Sequence, residues 1–168
     1  MGWLIAGVVV LLVLAAVAAV LAKKAGLLEP PAREKLPYEK KDYFFSKAER
    51  SFYGVLKQVV GDQLDIFGKV RLADVIGVVK GTDKWQTHFN KISSKHVDFL
   101  LCDPKLVAPV LVIELDDSSH KQLKRQERDK FVNDALADAG LPILHVPVQA
   151  SYDPAALRTD IQQLLRKQ

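Results

Sequence analysis

The sequence predicts a mixed α/β domain preceded by one N-terminal transmembrane helix. Three observations carry this reading. Residues 3–22, WLIAGVVVLLVLAAVAAVLA, hold no charge. Farther along, the apolar runs HVDFLLC, VLVIEL and PILHVPV read as strands buried on both faces. Stretches of helical spacing with capping residues flank them, giving the order α-β-β-β-α-β-α.

Composition sets the bounds. The chain has 168 residues, 49% hydrophobic and 26% charged, enough for one domain once the N-terminal run is set aside. Cys102 is the single cysteine, which rules out an internal disulfide and fits a reducing setting. A net charge of +4 and a pI near 9.1 permit binding to phosphates or an anionic membrane surface without demanding either. The sequence has no internal repeat, no zinc-type Cys/His spacing and no glycine-rich phosphate loop, so an NTPase motor is not indicated.

The first element is the chargeless run. It is long enough to cross a hydrocarbon core of about 30 Å as a helix. A cleaved signal peptide is the rival. The run is longer than a usual signal core, however, and no Lys or Arg precedes it. Residues 1–23 are therefore expected to be a retained anchor. Lys23, Lys24, Arg33, Lys35, Lys40 and Lys41 follow it. Positive flanks stay inside, which places the rest of the chain on the cytoplasmic side of the cytoplasmic membrane. Residues 24–42, with Pro30, Pro31 and Pro37, read as a tether.

The remaining residues, 43–168, form the domain. Ser46 and Glu49 have capping-box spacing, so a helix is expected to about Val60, stopped near Gly61. Phe52, Val55, Leu56 and Val59 give it an apolar stripe. Residues 65–79 suggest a strand, bent or interrupted at Gly68 or Gly77. Residues 81–94 show no clear period, and whether Trp85 and Phe89 pin a short helix is left open. Residues 96–102 and 110–115 are strands around the turn 103–109, hence an antiparallel hairpin. Ser118 or Ser119 caps a helix to Ala139, with Gly140 just past its end and Leu123, Phe131, Val132, Leu136 and Ala139 on its apolar face. Residues 142–148 are a strand reached by that crossover, so it pairs in parallel. Asp153-Pro154 starts a last helix to about Arg166, through Leu157, Ile161, Leu164 and Leu165.

The stretch VLVIELDDSSH is unusual, because a core strand ends in three carboxylates, two hydroxyls and an imidazole. Counting back around a turn centred on Leu106, Asp98 and Glu114 are each eight residues away. They should lie opposite one another, with Cβ atoms roughly 5 Å apart. Asp116 is two residues beyond Glu114 and shares its face. Carboxylates so close repel by about a few kcal/mol at an effective dielectric near 20. A bound cation, a raised pKa or nearby Lys and Arg must offset that. Mg²⁺ and similar hard cations favour such oxygen ligands, and a metal so held can activate water and polarise a phosphoryl oxygen.

HVDFLLCDP followed by VLVIELDDSSH, then Arg128-Asp129 and AGLPILHV, resembles the PD-(D/E)XK, restriction-endonuclease-like nuclease superfamily. Within it, the pattern is similar to a mainly bacterial family, domain of unknown function 2726, some members of which carry membrane spans or zinc ribbons. It also resembles very-short-patch-repair-type endonucleases. The likeness covers roughly residues 43–148. It implies a restriction-endonuclease-like mixed sheet and cleavage of nucleic acid, DNA or RNA, with Mg²⁺ or Mn²⁺. By position, Asp98 and Glu114 match the metal-binding acids, and Glu49 matches an extra acid on the first helix. Asp116 stands where the pattern places lysine. It can join Asp98, Glu114 and Glu49 as a metal ligand but cannot supply the missing positive charge. Lys130, Lys121 or Lys95 are candidates for that charge, and His120 for proton transfer.

Lys121, Lys124, Arg125 and Arg128 fall on one helical stripe that can follow a phosphate backbone. Each feature also has a plainer reading. Glu49 can simply close its capping box, and His120 can cap a helix. The basic stripe can be a solvated face, and Cys102 and His145 can fill the sheet. Trp85 can be a packing anchor. Arg71 and Asp74 either pair or line the site. Two functions follow: a membrane-anchored metal-dependent nuclease, or a non-cleaving relative that binds nucleic acid or a protein partner at the membrane.

Overall fold

The computed structural model describes residues 1–26, 33–116 and 123–166, except for the side chains of 123–126. The chain divides into two compact units, residues 1–42 and 43–168. The first contains α1 (Gly2–Lys24), none of whose side chains is buried. By length and composition it is able to cross a membrane. Lys23 and Lys24 occupy its last turn, where positive charge suits the helix dipole.

In the second unit, α2 (Lys47–Val60) begins with the expected capping box. Glu49 N donates to Ser46 Oγ at 3.2 Å, and Ser46 N donates to Glu49 Oε2 at 2.7 Å. Gly61 ends the helix at φ 53°, a conformation that costs other residues a Cβ clash. Then follow β1 (Asp65–Arg71), a 3₁₀ turn (Leu72–Asp74) and α3 (Trp85–Ser93). β2 (His96–Cys102), β3 (Pro109–Asp116), α4 (Leu123–Asp138), β4 (Ile143–Pro147) and α5 (Pro154–Leu165) complete the unit. Asp153 caps α5 by accepting from Ala155 N at 2.9 Å.

The described residues form a four-stranded mixed sheet in the order β1-β2-β3-β4. The first two pairings are antiparallel and β3–β4 is parallel, as the hairpin and crossover required. Helices cover both faces. Phe52 and Leu56 of α2, with Leu157 and Ile161 of α5, pack on Phe99, Leu101, Leu111 and Ile113. On the other side Ile92 of α3 and Val132 and Leu136 of α4 pack on Leu100, Cys102 and Val112. Strands buried on both faces cannot alternate in polarity, which accounts for the continuous apolar runs.

Two expectations change. The strand foreseen over residues 65–79 ends at Arg71, where the 3₁₀ turn buries Leu72 and Leu72 N bonds Lys95 O at 2.8 Å. Val75, Ile76 and Val78 pack onto the second core without pairing. Their β-branched composition reflects burial, which a loop can satisfy as well as a strand. The open question over residues 81–94 resolves as α3, where the Trp85 and Phe89 rings stack one turn apart at 5.0 Å.

β1 and β2 also exchange faces midway. Ile66 packs with the first core and Val70 with the second, although their even spacing should put them on one side. Between them Lys69 adopts φ 53°, and the β1–β2 ladder pairs neither Lys69 nor Asp98. Such an irregularity redirects every side chain beyond it. Beside it the Phe45 ring lies over Gly68 and packs on Phe99 and Tyr53 at 5.2 and 5.3 Å. A Cβ at Gly68 would overlap that ring. Gly54, exposed on α2, has open space around it. Gly68→Ala should destabilise the second unit by about 1–3 kcal/mol through overpacking. Gly54→Ala should stabilise it by about 0.5–1 kcal/mol. Urea denaturation of the full chain in detergent measures both, and equal shifts of the same sign would contradict the packing described.

Candidate functional site

The β2–β3 ladder pairs Phe99 with Ile113, Leu100 with Val112 and Leu101 with Leu111. Its next step brings Asp98 opposite Glu114, the register expected from the turn. Here the backbone ladder stops and a side chain continues it: Leu115 N donates to Asp98 Oδ2 at 2.9 Å. Asp98 is thereby tied across the hairpin mouth, where its charge acts on Glu114.

Glu114 is half-buried. Burial pushes its carboxyl up, and the charge of Asp98 and the bond to it push further in the same direction. Arg128 pulls the value down and Asp129 pulls it up, leaving it at about 8. An ordinary glutamate titrates near 4.5. Two acids that act on each other in this way cannot both ionise cheaply.

The second shared feature is a cleft between the end of β3 and α4. Glu114, Asp116, Arg128, Asp129, Val132, Asn133 and His145 line it. β4 contributes His145, which the parallel register sets beside Glu114. Its Nδ1 lies 3.2 Å from Asp116 Oδ1, and its Nε2 lies 3.0 Å from Asn133 Oδ1. His145 therefore ties the acidic strand end to α4. Sequence reading assigned it to filling the sheet. The signal was its position in PILHVPV, but only the β3–β4 register turns that position into a neighbour of Glu114.

The three acids expected in one cation pocket are thus engaged differently. Asp98 accepts from Leu115 N and acts on Glu114, whereas Asp116 turns to His145. Among the described residues, no group of three His, Cys, Asp or Glu side chains is gathered so as to hold a metal ion. Glu49 is taken up elsewhere, by Ser46 N and by Lys69 Nζ at 2.6 Å. Burial raises its carboxyl, but the bonds from Lys69 and Ser46 outweigh that and hold it below the usual range.

The candidate lysines also have other partners. Lys130 bonds Asp134 one turn along α4 at 2.6 Å, both side chains exposed and outside the cleft. Lys95 bonds Lys91 O at 2.7 Å and sits 4.8 Å from the Phe131 ring. Arg71 pairs with Asp74, away from the cleft. His120 and Lys121 lie outside the described residues, as do the side chains of Lys124 and Arg125. Of the expected basic stripe, Arg128 is the member seen in the cleft.

Comparison with known families bears on this chain directly. A family model described as protein of unknown function (DUF2726) matches residues 41–164, and the chain belongs to that family. No curated protein and no solved structure matches it.

The raised Glu114 value makes metal-free stability depend on pH. Below about pH 4.5 the group is protonated whether folded or unfolded. Between 4.5 and about 8 the unfolded chain releases a proton that the folded chain retains, so stability falls as pH rises. The loss should be on the order of 5 kcal/mol and complete above pH 8. Urea denaturation in EDTA at pH 5, 7 and 9 should show this slope, and Glu114→Gln should flatten it.

Proposed function

We propose that this DUF2726 protein is a membrane-tethered nuclease that hydrolyses a phosphodiester of DNA or RNA with Mg²⁺ or Mn²⁺. One observation carries the reading: Asp98, tied to Leu115 N, stands at the mouth of a two-strand hairpin beside a half-buried Glu114 whose carboxyl it pushes up. The donor set fits a hard cation. Mg²⁺ commonly takes one or two carboxylates and fills its remaining positions with water and phosphate oxygens. Asp98 and Glu114 would hold it, and when bound it would polarise the phosphoryl group and lower the pKa of a coordinated water.

The residues of the chain divide the other tasks. The Leu115 N–H fixes one oxygen of Asp98, so that carboxylate is preorganised. Asp116 acts through His145, which links it to Asn133. Glu49 is left out of the metal set, since Lys69 and Ser46 occupy its carboxylate. His120 remains the proposed proton carrier from sequence. A mixed sheet with acids at the end of a hairpin supports membership of the PD-(D/E)XK superfamily as part of this reading. The helix Gly2–Lys24 supports anchoring in the cytoplasmic membrane, with residues 43–168 in the cytoplasm by the positive-inside argument.

A second reading has its own support. Asp116 replaces the lysine of the superfamily pattern, which favours a relative that binds nucleic acid, or a protein, without cutting it.

Cleavage of labelled single- and double-stranded DNA and RNA by the full chain in detergent separates the two. The nuclease reading expects cleavage in Mg²⁺ or Mn²⁺, none in EDTA, and a loss of about 100-fold or more in Asp98→Ala and Glu114→Ala. Metal-dependent cleavage at the wild-type rate by Glu114→Ala would remove this mechanism. Oligonucleotide binding without cleavage by the wild-type protein would establish the second reading.

A further inference from the structure

We infer that Arg128 is the phosphate-binding residue of this cleft, the group that takes a non-bridging oxygen of the phosphodiester beside Glu114. The inference rests on the proposed hydrolytic reading and adds to it the cation that faces the substrate.

The cleft is acidic on its own account. Glu114, Asp116 and Asp129 all line it. Position 116 adds a negative charge where the superfamily pattern supplies a positive one, and that aspartate is committed to His145. A phosphodiester monoanion entering here is repelled unless a cation meets it. Among the described residues lining the cleft, Arg128 carries the fixed positive charge.

Its placement is built in by α4. Arg128 and Val132 stand one turn apart, as do Asp129 and Asn133, so these four residues form one stripe along the helix. Val132 is buried in the second core, which anchors the turn that carries Arg128. The guanidinium already acts on Glu114 across the cleft, drawing its carboxyl downward. Yet Arg128 forms no ion pair with any described residue, whereas Lys69, Arg71 and Lys130 are each paired with a carboxylate. A guanidinium free of ion pairs to the described residues can present its planar fork to two oxygens of one phosphate and keeps its charge at any working pH. Lys130, the candidate from sequence, points to Asp134 and cannot serve without breaking that pair.

The test uses the full chain in detergent and a fluorescent single-stranded oligonucleotide. Binding is read by anisotropy over a salt series with Ca²⁺ in place of Mg²⁺, and cleavage is read separately in Mg²⁺. Arg128→Ala should weaken binding about 10-fold and reduce the slope of log K against log salt by about 0.7, one phosphate contact on a single strand. It should also lower kcat about 100-fold, with Arg128→Lys recovering part of both losses and Lys130→Ala changing neither. The exposed Arg128 should leave the melting temperature unchanged on substitution. Wild-type affinity, salt slope and cleavage in Arg128→Ala, with Glu114→Ala inactive, would overturn this inference and leave the hydrolytic reading standing. No cleavage by the wild type, together with weakened binding in Arg128→Ala, would overturn hydrolysis and keep the phosphate contact. Neither binding nor cleavage by the wild type would end both.

Discussion

The mouth of the β2–β3 hairpin depends on one hydrogen bond, from the Leu115 amide to the carboxylate of Asp98. Backbone pairing has ended one residue earlier, at Phe99 and Ile113. A part-buried amide left without an acceptor is costly, so the side chain of Asp98 takes the place of a backbone carbonyl. This holds an acid at the one point where Glu114 emerges on the neighbouring strand. The pair is therefore a product of sheet geometry as much as of residue type. The same burial that secures the strands also denies Glu114 the water it needs to ionise.

That arrangement requires the sheet to change its habits nearby. Lys69 and Asp98 both leave the ladder, and the faces of β1 and β2 exchange beyond them. The irregularity frees Asp98 from regular pairing just where its carboxylate must bridge two strands. Lys69, held at a positive φ, reaches across to Glu49 and secures the first turn of α2 to β1. A bulky, ionised residue in that conformation needs surroundings that over-determine it. The ion pair to Glu49 and the packed Phe45 beside Gly68 provide them.

Much of the fold was legible in the residues. Both capping signals, Ser46 with Glu49 and Asp153 before Pro154, start helices as expected. HVDFLLC is a strand over its whole length, and the symmetry of its turn foretells the pairing of Phe99 with Ile113, one step before Asp98 and Glu114. These features are local, or differ only by counting along one hairpin. The extent of β1 was not legible, because buried loops and strands draw on the same β-branched residues. Nor was His145: its neighbours Asp116 and Asn133 come from a different strand and a helix. Lys130 is the reverse case. Its sequence distance from the acids allowed a role, but the turn of α4 directs it to Asp134.

The sequence by itself determined an apolar N-terminal helix, a mixed sheet between helical layers, and an acidic hairpin end. Periodicity, capping chemistry and turn length act over a few residues, and these decide such features before any long-range contact forms. Only the tertiary structure decided which groups face each other across the cleft. The offset between β3 and β4, and the rotation of α4 about its own axis, are set by how two cores fill with Val112, Val132 and Leu136 on one side and Ile113 and Val146 on the other. Side-chain packing chooses among rotations and registers that a one-dimensional pattern leaves equal. Arg128 and His145 therefore enter the site, and Glu49 and Lys130 are turned away from it.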